Sequence, residues 1–271
     1  MLYVYAIDTN MAFTKKVYKF KFKSIEYKYI PNHKSGKQDD LFVISKEEEE
    51  KNYRQVTELF SSFSLPFSLG GDGVFIVEPR GILHNHTVLD KYTPSSAASR
   101  SLRADIVCDD FVPVCPIIDE NENKIARLYR IAKSSNDSYF KTLFLWHCLC
   151  VQNKSDDNET VCFINNNIND IHEQISNELN EIINNPYFNK DSQKLDKKNL
   201  GEYIKNGFRH SISHIERKET SHEKSFTLDS INELRHVNNI SKILDALVTL
   251  KMEKMGMRDR QDDTNYFSYI I

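Results

Sequence analysis

The first third of the chain has the hydrophobic pattern of β-strands. Apolar and lysine side chains alternate over residues 18–22, which predicts a strand with one buried face. The apolar phase shifts by one residue after Ser24, so we expect a bulge or a tight turn there. Two continuous apolar runs, at residues 41–44 and 74–77, predict further strands of the same region.

One helix is predicted between these strands. Ser45 and Glu48 have the spacing of a capping box, and the acidic run at residues 47–50 suits the positive end of a helix dipole. Apolar residues then recur at helical spacing as far as Phe63. We therefore predict that residues 1–119 form a small α+β domain with antiparallel strands.

From about residue 120 the apolar residues recur at helical spacing. We predict a short helix that breaks at 134–137, a very apolar helix from 139 to about 152, and a polar loop over 154–159. Three amphipathic stripes follow, and such stripes are buried only by packing against one another, so residues 120–271 are predicted to be an all-α bundle. The stripes are Ile168, Ile171, Ile175, Leu179 and Ile182; Leu200, Ile204, Phe208, Ile212 and Ile215; and Leu234, Val237, Ile240, Leu244, Leu247, Val248 and Met252.

Composition narrows the function classes. The chain of 271 residues has 36 Lys and Arg against 39 Asp and Glu, so a strongly basic nucleic-acid clamp is excluded, whereas a local basic patch is not. No apolar run approaches the ~20 residues of a membrane-spanning helix, and the N-terminal sequence does not resemble a secretory signal. The 5 cysteines form no CxxC pair, which favours reduced thiols over a zinc site or disulfides. We expect a cytoplasmic protein.

The segment from Gly207 to Glu216 carries the candidate chemistry. His210 and His214 are one helical turn apart and share a face, and the long side chain of Arg209 can reach the same patch. Because Phe208 and the apolar residues after it are expected to face the bundle core, these three polar side chains should lie at the core boundary. A ligand or a second subunit can approach them there.

Such a set of side chains is suited to cleaving the phosphodiester bond of RNA. An imidazole with an ordinary pKa near ~6.5 can accept the proton of a ribose 2′-hydroxyl at neutral pH. A guanidinium can hold the phosphate and offset charge that develops in the transition state. No metal or other cofactor is required, and DNA should be spared because it has no 2′-hydroxyl.

Three other interpretations of the segment stand beside this one. The two histidines can simply line a helix surface or a helix contact. Two histidines four residues apart also match the zinc-binding helix of zincins, but Ser211 stands where that motif has its general-base glutamate. Finally, Arg209 would support the binding of an anion without turnover.

Arg209 to His214 resembles the Arg-x4-6-His motif of the HEPN superfamily, whose domains are helical bundles with the motif on a late helix. Residues 124–130 and 139–149, after an α+β region, resemble the MauJ-like (methylamine utilisation J-type) branch of that superfamily. The predicted helix at 55–63, followed by Leu65-Pro66-Phe67, is also similar to that branch. The similarity in arrangement covers most of the chain, and it is sharpest at the Arg-His segment.

The resemblance implies a metal-independent endoribonuclease, in a toxin or anti-phage defence setting, that is active as a homodimer. It implies that Arg209 contacts the phosphate and that His214 is the acid/base, with His210 at the polar position after the arginine. One departure concerns Cys150, which stands near a position where relatives of this branch carry a glutamate. His147 is a substitute polar group on that helix, although a buried structural histidine is the favoured interpretation.

Two functions thus emerge from the sequence. The leading hypothesis is an RNA-cleaving dimer whose N-terminal region senses a signal, recruits RNA or regulates the bundle, and a regulatory protein partner is expected beside RNA. The alternative is a non-catalytic module for dimerisation, partner docking or RNA binding, in which Arg209 and the histidines are interface contacts.

Overall fold

The fold was examined in a computed structural model of the chain. The residues that it describes are 2–9, 11–13, 17–22, 25–31, 40–45, 58, 60–62, 64–65, 68–69, 75–83, 106–108, 117–152, 156–187, 195–209, 212, 230–257 and 268–269. Structural statements below refer to these residues.

The chain divides into two compact units. The first unit comprises Met1–Ser134 together with Gly256–Ile271, and the second comprises Ser135–Met255. The domain boundary predicted from the sequence, between residues 119 and 120, precedes the first long helix, and this helix belongs to the first unit.

The first unit contains a six-stranded antiparallel sheet with the strand order β6-β1-β5-β4-β3-β8, and a parallel pair of β2 with β7. The antiparallel strands expected in this region are therefore confirmed. The strands are β1 (Leu2–Thr9), β2 (Met11–Phe13), β3 (Tyr18–Phe22), β4 (Ile25–Ile30), β5 (Asp40–Ser45), β6 (Phe75–Leu83), β7 (Ile106–Cys108) and β8 (Ser268–Tyr269).

The strand predicted over residues 18–22 is present as β3, and of the bulge or tight turn expected after Ser24 the structure has the turn of a hairpin. Strands β3 and β4 are antiparallel, and Phe22 pairs with Ile25, so the chain reverses at the predicted phase shift. Tyr18 pairs with Tyr29, both side chains are buried, and their rings meet edge to face at 6.3 Å. The cross-strand aromatic pair is a typical source of sheet stability.

Strand β1 was not predicted, although it lies between β5 and β6. Its apolar run over residues 2–7 lacks the alternation of a half-buried strand. Its partner β6 contains Pro79, which has no N–H for the ladder, and the pairing register shifts between Val4 and Tyr5, where Pro79 lies opposite. Within sheets, proline is usually confined to edge strands and bulges, and Pro79 lies at an irregularity of the edge strand β6.

Helix α1 (Glu120–Ser134) begins with a reciprocal cap. The Glu122 N–H donates to the Asp119 carboxylate at 2.8 Å, and the Glu122 carboxylate accepts from the Ile118 N–H at 2.9 Å. The cap satisfies backbone donors that the helix itself leaves unpaired. The helix packs against β6 within the first unit.

The described part of the second unit is helical, as predicted, and it contains one helix more than expected. The predicted break after Ser134 and the predicted helix end at Asn184 are confirmed. The polar loop predicted over 154–159 is wrong in its second half, because a helix begins at Asp157. The helices are α2 (Ser138–Cys150), α3 (Asp157–Asn167), α4 (His172–Asn184), α5 (Leu200–Tyr203), which continues as a π-helix (Ile204–Arg209), and α6 (Ile231–Lys254).

The core of the second unit is built around α6, which packs against α2 and α4, while α3 packs against α2 and α5. Nearly all described residues of the three predicted stripes are buried, including Leu200, Ile204 and Phe208, whereas Ile212 and Leu234 are half-buried. Among the described residues, no helix combines the length and the apolar character needed to cross a membrane.

Candidate functional site

The segment that carries Arg209 is held tightly against α3. The Gly201 N–H donates to the Asn165 side-chain oxygen at 2.7 Å, and the Asn165 amide donates to the Glu202 carboxylate at 2.8 Å. A Cβ at position 201 would lie 2.7 Å from the Val161 carbonyl oxygen, so only glycine permits this approach. The start of α5 is therefore fixed against the middle of α3.

From Gly201 onward the segment runs toward the N-terminus of α3. The Lys205 ammonium donates to the Asn158 side chain at 2.8 Å, and Arg209 Nη2 lies 3.2 Å from Asp157 Oδ2. Residues 204–209 form a π-helix, a rare conformation that occurs frequently at functional sites. The structure thus places the guanidinium at the first turn of α3.

Asp157 connects three elements of the second unit. Besides its ion pair with Arg209, it accepts a hydrogen bond from the Trp146 indole N–H at 3.3 Å, and Cys150 Sγ lies 4.0 Å from the same oxygen. Its place in the first turn of α3, after the N-cap Asp156, suits a carboxylate because the helix dipole is positive there. We call Arg209, Asp157, His147, Trp146 and Cys150 the α2-end cluster.

The guanidinium of Arg209 is only partly occupied by this ion pair. The side chain is 27% exposed, and that of Asp157 is 18% exposed. Arg209 Nε is buried and has no hydrogen-bond partner among the described residues. Since a guanidinium has five N–H donors, the pair with Asp157 leaves Arg209 with capacity to bind a further anion.

His147 is exposed, so the expectation of a buried structural histidine is wrong. Its neighbours Trp146, Cys148 and Leu149 are fully buried, which makes His147 a solvent-facing position in the last turn of α2. Partial desolvation of the ring and the positive charge of Arg209 lower the pKa of His147, whereas the Asp157 carboxylate opposes them. The imidazole is therefore neutral at neutral pH.

Cys150 is a protonated thiol in this environment. Burial raises its pKa most strongly; the hydrogen bond from the Thr160 hydroxyl opposes this, and the negative charge of Asp157 raises the pKa by a smaller amount. A thiol with a raised pKa is a poor nucleophile. Cys150, which stands near a position where relatives of the resembled branch carry a glutamate, has its Sγ 4.0 Å from the Asp157 carboxylate.

Of the predicted site residues, only Arg209 lies within the part of the chain that the structure describes. His210 and His214 lie outside it, so their arrangement relative to Arg209 stays a prediction. Asp157 was not predicted as a site residue. Its signal was the spacing of Asp156 and Glu159, which is that of a capping box directly before the apolar residues of α3.

A second polar cluster lies near the start of α2. Glu233, which is fully buried, accepts hydrogen bonds from the hydroxyls of Tyr139 and, at 3.0 Å, Tyr187. His236, one turn further along α6, forms a 2.7 Å hydrogen bond with the Tyr203 hydroxyl, and desolvation lowers the pKa of His236 to about 4. We call these five residues the α2-start cluster.

Lys251 fixes the other end of α2. Its ammonium donates to the carbonyl oxygens of Leu149 at 2.7 Å and Val151 at 2.6 Å, and the side chain is only 7% exposed. These carbonyls belong to the helix end that lacks intrahelical partners, so the buried cation acts as a C-terminal cap. The last turn of α2, with His147, is thereby held on α6.

No group of three or more His, Cys, Asp or Glu side chains within the described residues is arranged to hold a metal ion. The zincin-like alternative for His210 and His214 falls on residues that the structure does not describe.

Comparison with known proteins found one family whose model matches most of the helical unit. Residues 125–253 match the model of the family described as methylamine utilization protein MauJ, which confirms that this part of the chain resembles the MauJ-like branch. The match includes the positions of Arg209, His210 and His214, and it covers less than half of the chain. No curated protein and no solved structure matches the chain.

Proposed function

We propose that the protein is a metal-independent endoribonuclease of the HEPN type, which cleaves RNA through attack of the ribose 2′-hydroxyl. The observation that carries the proposal is the guanidinium of Arg209, which is partly exposed while Asp157 holds it in place and whose Nε has no hydrogen-bond partner among the described residues. The family match supports it, because the matched residues include the whole Arg209 to His214 motif.

In this mechanism, Arg209 binds the scissile phosphate and offsets the charge that develops on its oxygens. His214 exchanges a proton with the reacting ribose or the leaving oxygen, and His210 is the polar residue beside the arginine. The products are a 2′,3′-cyclic phosphate, or the 3′-phosphate formed from it, and a 5′-hydroxyl. DNA is not cleaved because it lacks the internal nucleophile.

The proposed enzyme is a cytoplasmic homodimer in which two Arg209 to His214 segments meet, and it acts as a toxin or anti-phage effector under the control of a protein partner. Sedimentation of the purified chain should give twice the monomer mass. Induced expression should arrest growth, whereas expression of Arg209→Ala should not.

The test is RNA cleavage by the purified chain in the presence of EDTA. We expect cleavage by the wild type and by Arg235→Ala, which removes an exposed arginine of α6, and a large loss with Arg209→Ala and His214→Ala. Absence of wild-type cleavage, or full activity of both motif variants, would contradict the proposal. A 3′-hydroxyl product would indicate a different, metal-assisted route.

The second candidate function is a non-catalytic dimerisation or binding module. It is favoured by the ion pair between Arg209 and Asp157, which neutralises the charge that a phosphate would otherwise meet. Under this alternative, Arg209→Ala changes the oligomeric state or the retention of RNA, while no RNA is cleaved by any form of the protein.

A further inference from the structure

We propose that His147 is a second proton-transferring residue of the site, and that it accepts the 2′-hydroxyl proton of the RNA whose phosphate Arg209 binds. The inference rests on the proposed endoribonuclease function and adds a group from outside the Arg209 to His214 motif.

The last turn of α2 faces the carboxylate that holds Arg209. Trp146 and Cys150 both approach Asp157 Oδ1, at 3.3 and 4.0 Å, while Asp157 Oδ2 pairs with Arg209. His147 precedes Cys150 by three residues, so the two share a face of the helix. The imidazole therefore belongs to the same cluster as the guanidinium.

His147 has the accessibility that a proton-transferring group needs. Its side chain is exposed, and the charges of Arg209 and Asp157 act on its ring. In contrast, the neighbouring Trp146 is buried and its indole is committed to Asp157. A ribose bound at Arg209 would thus meet the imidazole rather than the indole.

The surrounding charges keep the imidazole neutral, as a base must be before it reacts. Arg209 lowers the pKa of His147, and Asp157 from α3 raises it by a smaller amount. From α6, Lys251 is bound to the carbonyl oxygens at the end of α2, and Asp245 acts on Cys148. The net result is a pKa below the ordinary value of ~6.5, so the base form predominates at pH 7.

Lys251 also fixes the backbone that carries the imidazole. Lys251 binds the carbonyls of Leu149 and Val151, and the Val151 N–H returns to the His147 carbonyl at 3.2 Å. The backbone that carries the imidazole is thereby anchored on both sides of the helix end. Positioning of this kind is what makes a proton-transferring group effective.

The proton balance of the step uses two different groups. The 2′-oxygen forms a bond to phosphorus, and its proton moves to the neutral His147. The bond from phosphorus to the 5′-oxygen breaks, and that oxygen takes a proton from His214 in its protonated form. The two histidines return to their starting states through exchange with water.

The experiment is the pH dependence of kcat/KM for RNA cleavage by the wild type, His147→Gln and the control His172→Gln, which alters a half-buried histidine of α4. In the wild type, kcat/KM should fall as the pH drops below the pKa of His147. His147→Gln should lose about 10²- to 10⁴-fold in rate and also lose this acid limb, while RNA binding is retained. The control should behave as the wild type.

A further variant sharpens the test. Asp157→Asn removes the carboxylate that raises the pKa of His147, so the acid limb should move to lower pH. Suppose that the wild type cleaves RNA and that His147→Gln, whatever its rate, still loses kcat/KM at low pH as the wild type does. His147 is then not the base, and this inference fails while the proposed function stands. If the wild type does not cleave RNA, the proposed function fails and this inference falls with it.

Discussion

A carboxylate and a histidine lie near each end of helix α2, but the two clusters are built differently. In the α2-start cluster, Glu233 is fully buried and both its oxygens accept tyrosine hydroxyls. In the α2-end cluster, Asp157 and Arg209 are partly exposed, and Arg209 Nε has no partner among the described residues. The first arrangement suits stability, because a buried carboxylate is tolerated only when it is hydrogen-bonded. The second retains donors for a ligand.

The histidines of the two clusters differ in the same way. His236 is 6% exposed and its imidazole is bonded to the Tyr203 hydroxyl, whereas His147 is exposed. Desolvation lowers the pKa of both, but only His147 is also under the influence of a nearby guanidinium. A polar side chain of a helical unit is therefore a candidate catalytic group when it is exposed to solvent and lies beside a side chain that has hydrogen-bonding capacity left over.

The largest effect is expected from Glu233→Ala, which leaves the hydroxyls of Tyr139 and Tyr187 without their carboxylate acceptor. We expect the free energy of unfolding to fall by about 2–4 kcal/mol, measured by urea denaturation. The control is Glu173→Gln at an exposed position of α4, which should change it by less than about 0.5 kcal/mol. Equal stability of the two variants would contradict a structural role for the α2-start cluster.

Stability should also depend on pH through His236. Its pKa is about 4 in the folded state and near ~6.5 in the unfolded state, so between these values the unfolded chain binds more protons. The contribution is complete above the unfolded pKa and is lost as the pH falls toward 4, with a slope of at most about 1.4 kcal/mol per pH unit. In His236→Gln the slope over this range should be smaller. An unchanged slope would show that His236 does not titrate in this way.

Lys251→Met should lower the free energy of unfolding by about 2 kcal/mol, because the carbonyls at the end of α2 lose a charged donor. The matched control is Lys242→Met, since that lysine is 63% exposed and pairs with Glu178 on the surface. Its removal should cost about 0–1 kcal/mol. Urea denaturation of both variants measures the difference, and a larger loss with Lys242→Met would contradict the capping role of Lys251.

The smallest effect on stability is expected from Asp157→Asn. Its ion pair with Arg209 is partly exposed, so the free energy of unfolding should change by about 1 kcal/mol or less. The pKa of His147, followed by NMR, should nevertheless fall, because the Asp157 charge raises it. Asp170→Asn, which removes an exposed carboxylate paired with Lys254, should leave that pKa unchanged. If both variants shift the pKa equally, the α2-end cluster is not a specific electrostatic unit.

The fold was predictable where one physical pattern dominated. The alternation from Tyr18 to Phe22 predicted the first strand of the hairpin that is observed. The stripe of Leu200, Ile204 and Phe208 predicted the buried helix face that precedes Arg209.

The site was less predictable because it depends on contacts between distant segments. Asp157 lies in a run of polar residues that also suits a loop, and the helix is indicated only by the capping-box spacing of Asp156 and Glu159 and by the apolar residues after it. His147 lies on a helix whose other positions are almost all apolar. The hydrophobic pattern therefore did not indicate which face of this helix is exposed, and the exposure of His147 could not be predicted from it. The packing of α3 against α2 and α5 determined both the place of Asp157 in the site and the exposure of His147.

The most direct test of the account is RNA cleavage in EDTA by Arg209→Ala, with the free energy of unfolding measured on the same preparation. The account predicts that cleavage falls by about 10²-fold or more while stability changes by about 1 kcal/mol or less, because Arg209 serves the ligand rather than the fold. Cleavage at the wild-type rate by a stably folded Arg209→Ala would contradict the central claim that the α2-end cluster cleaves RNA.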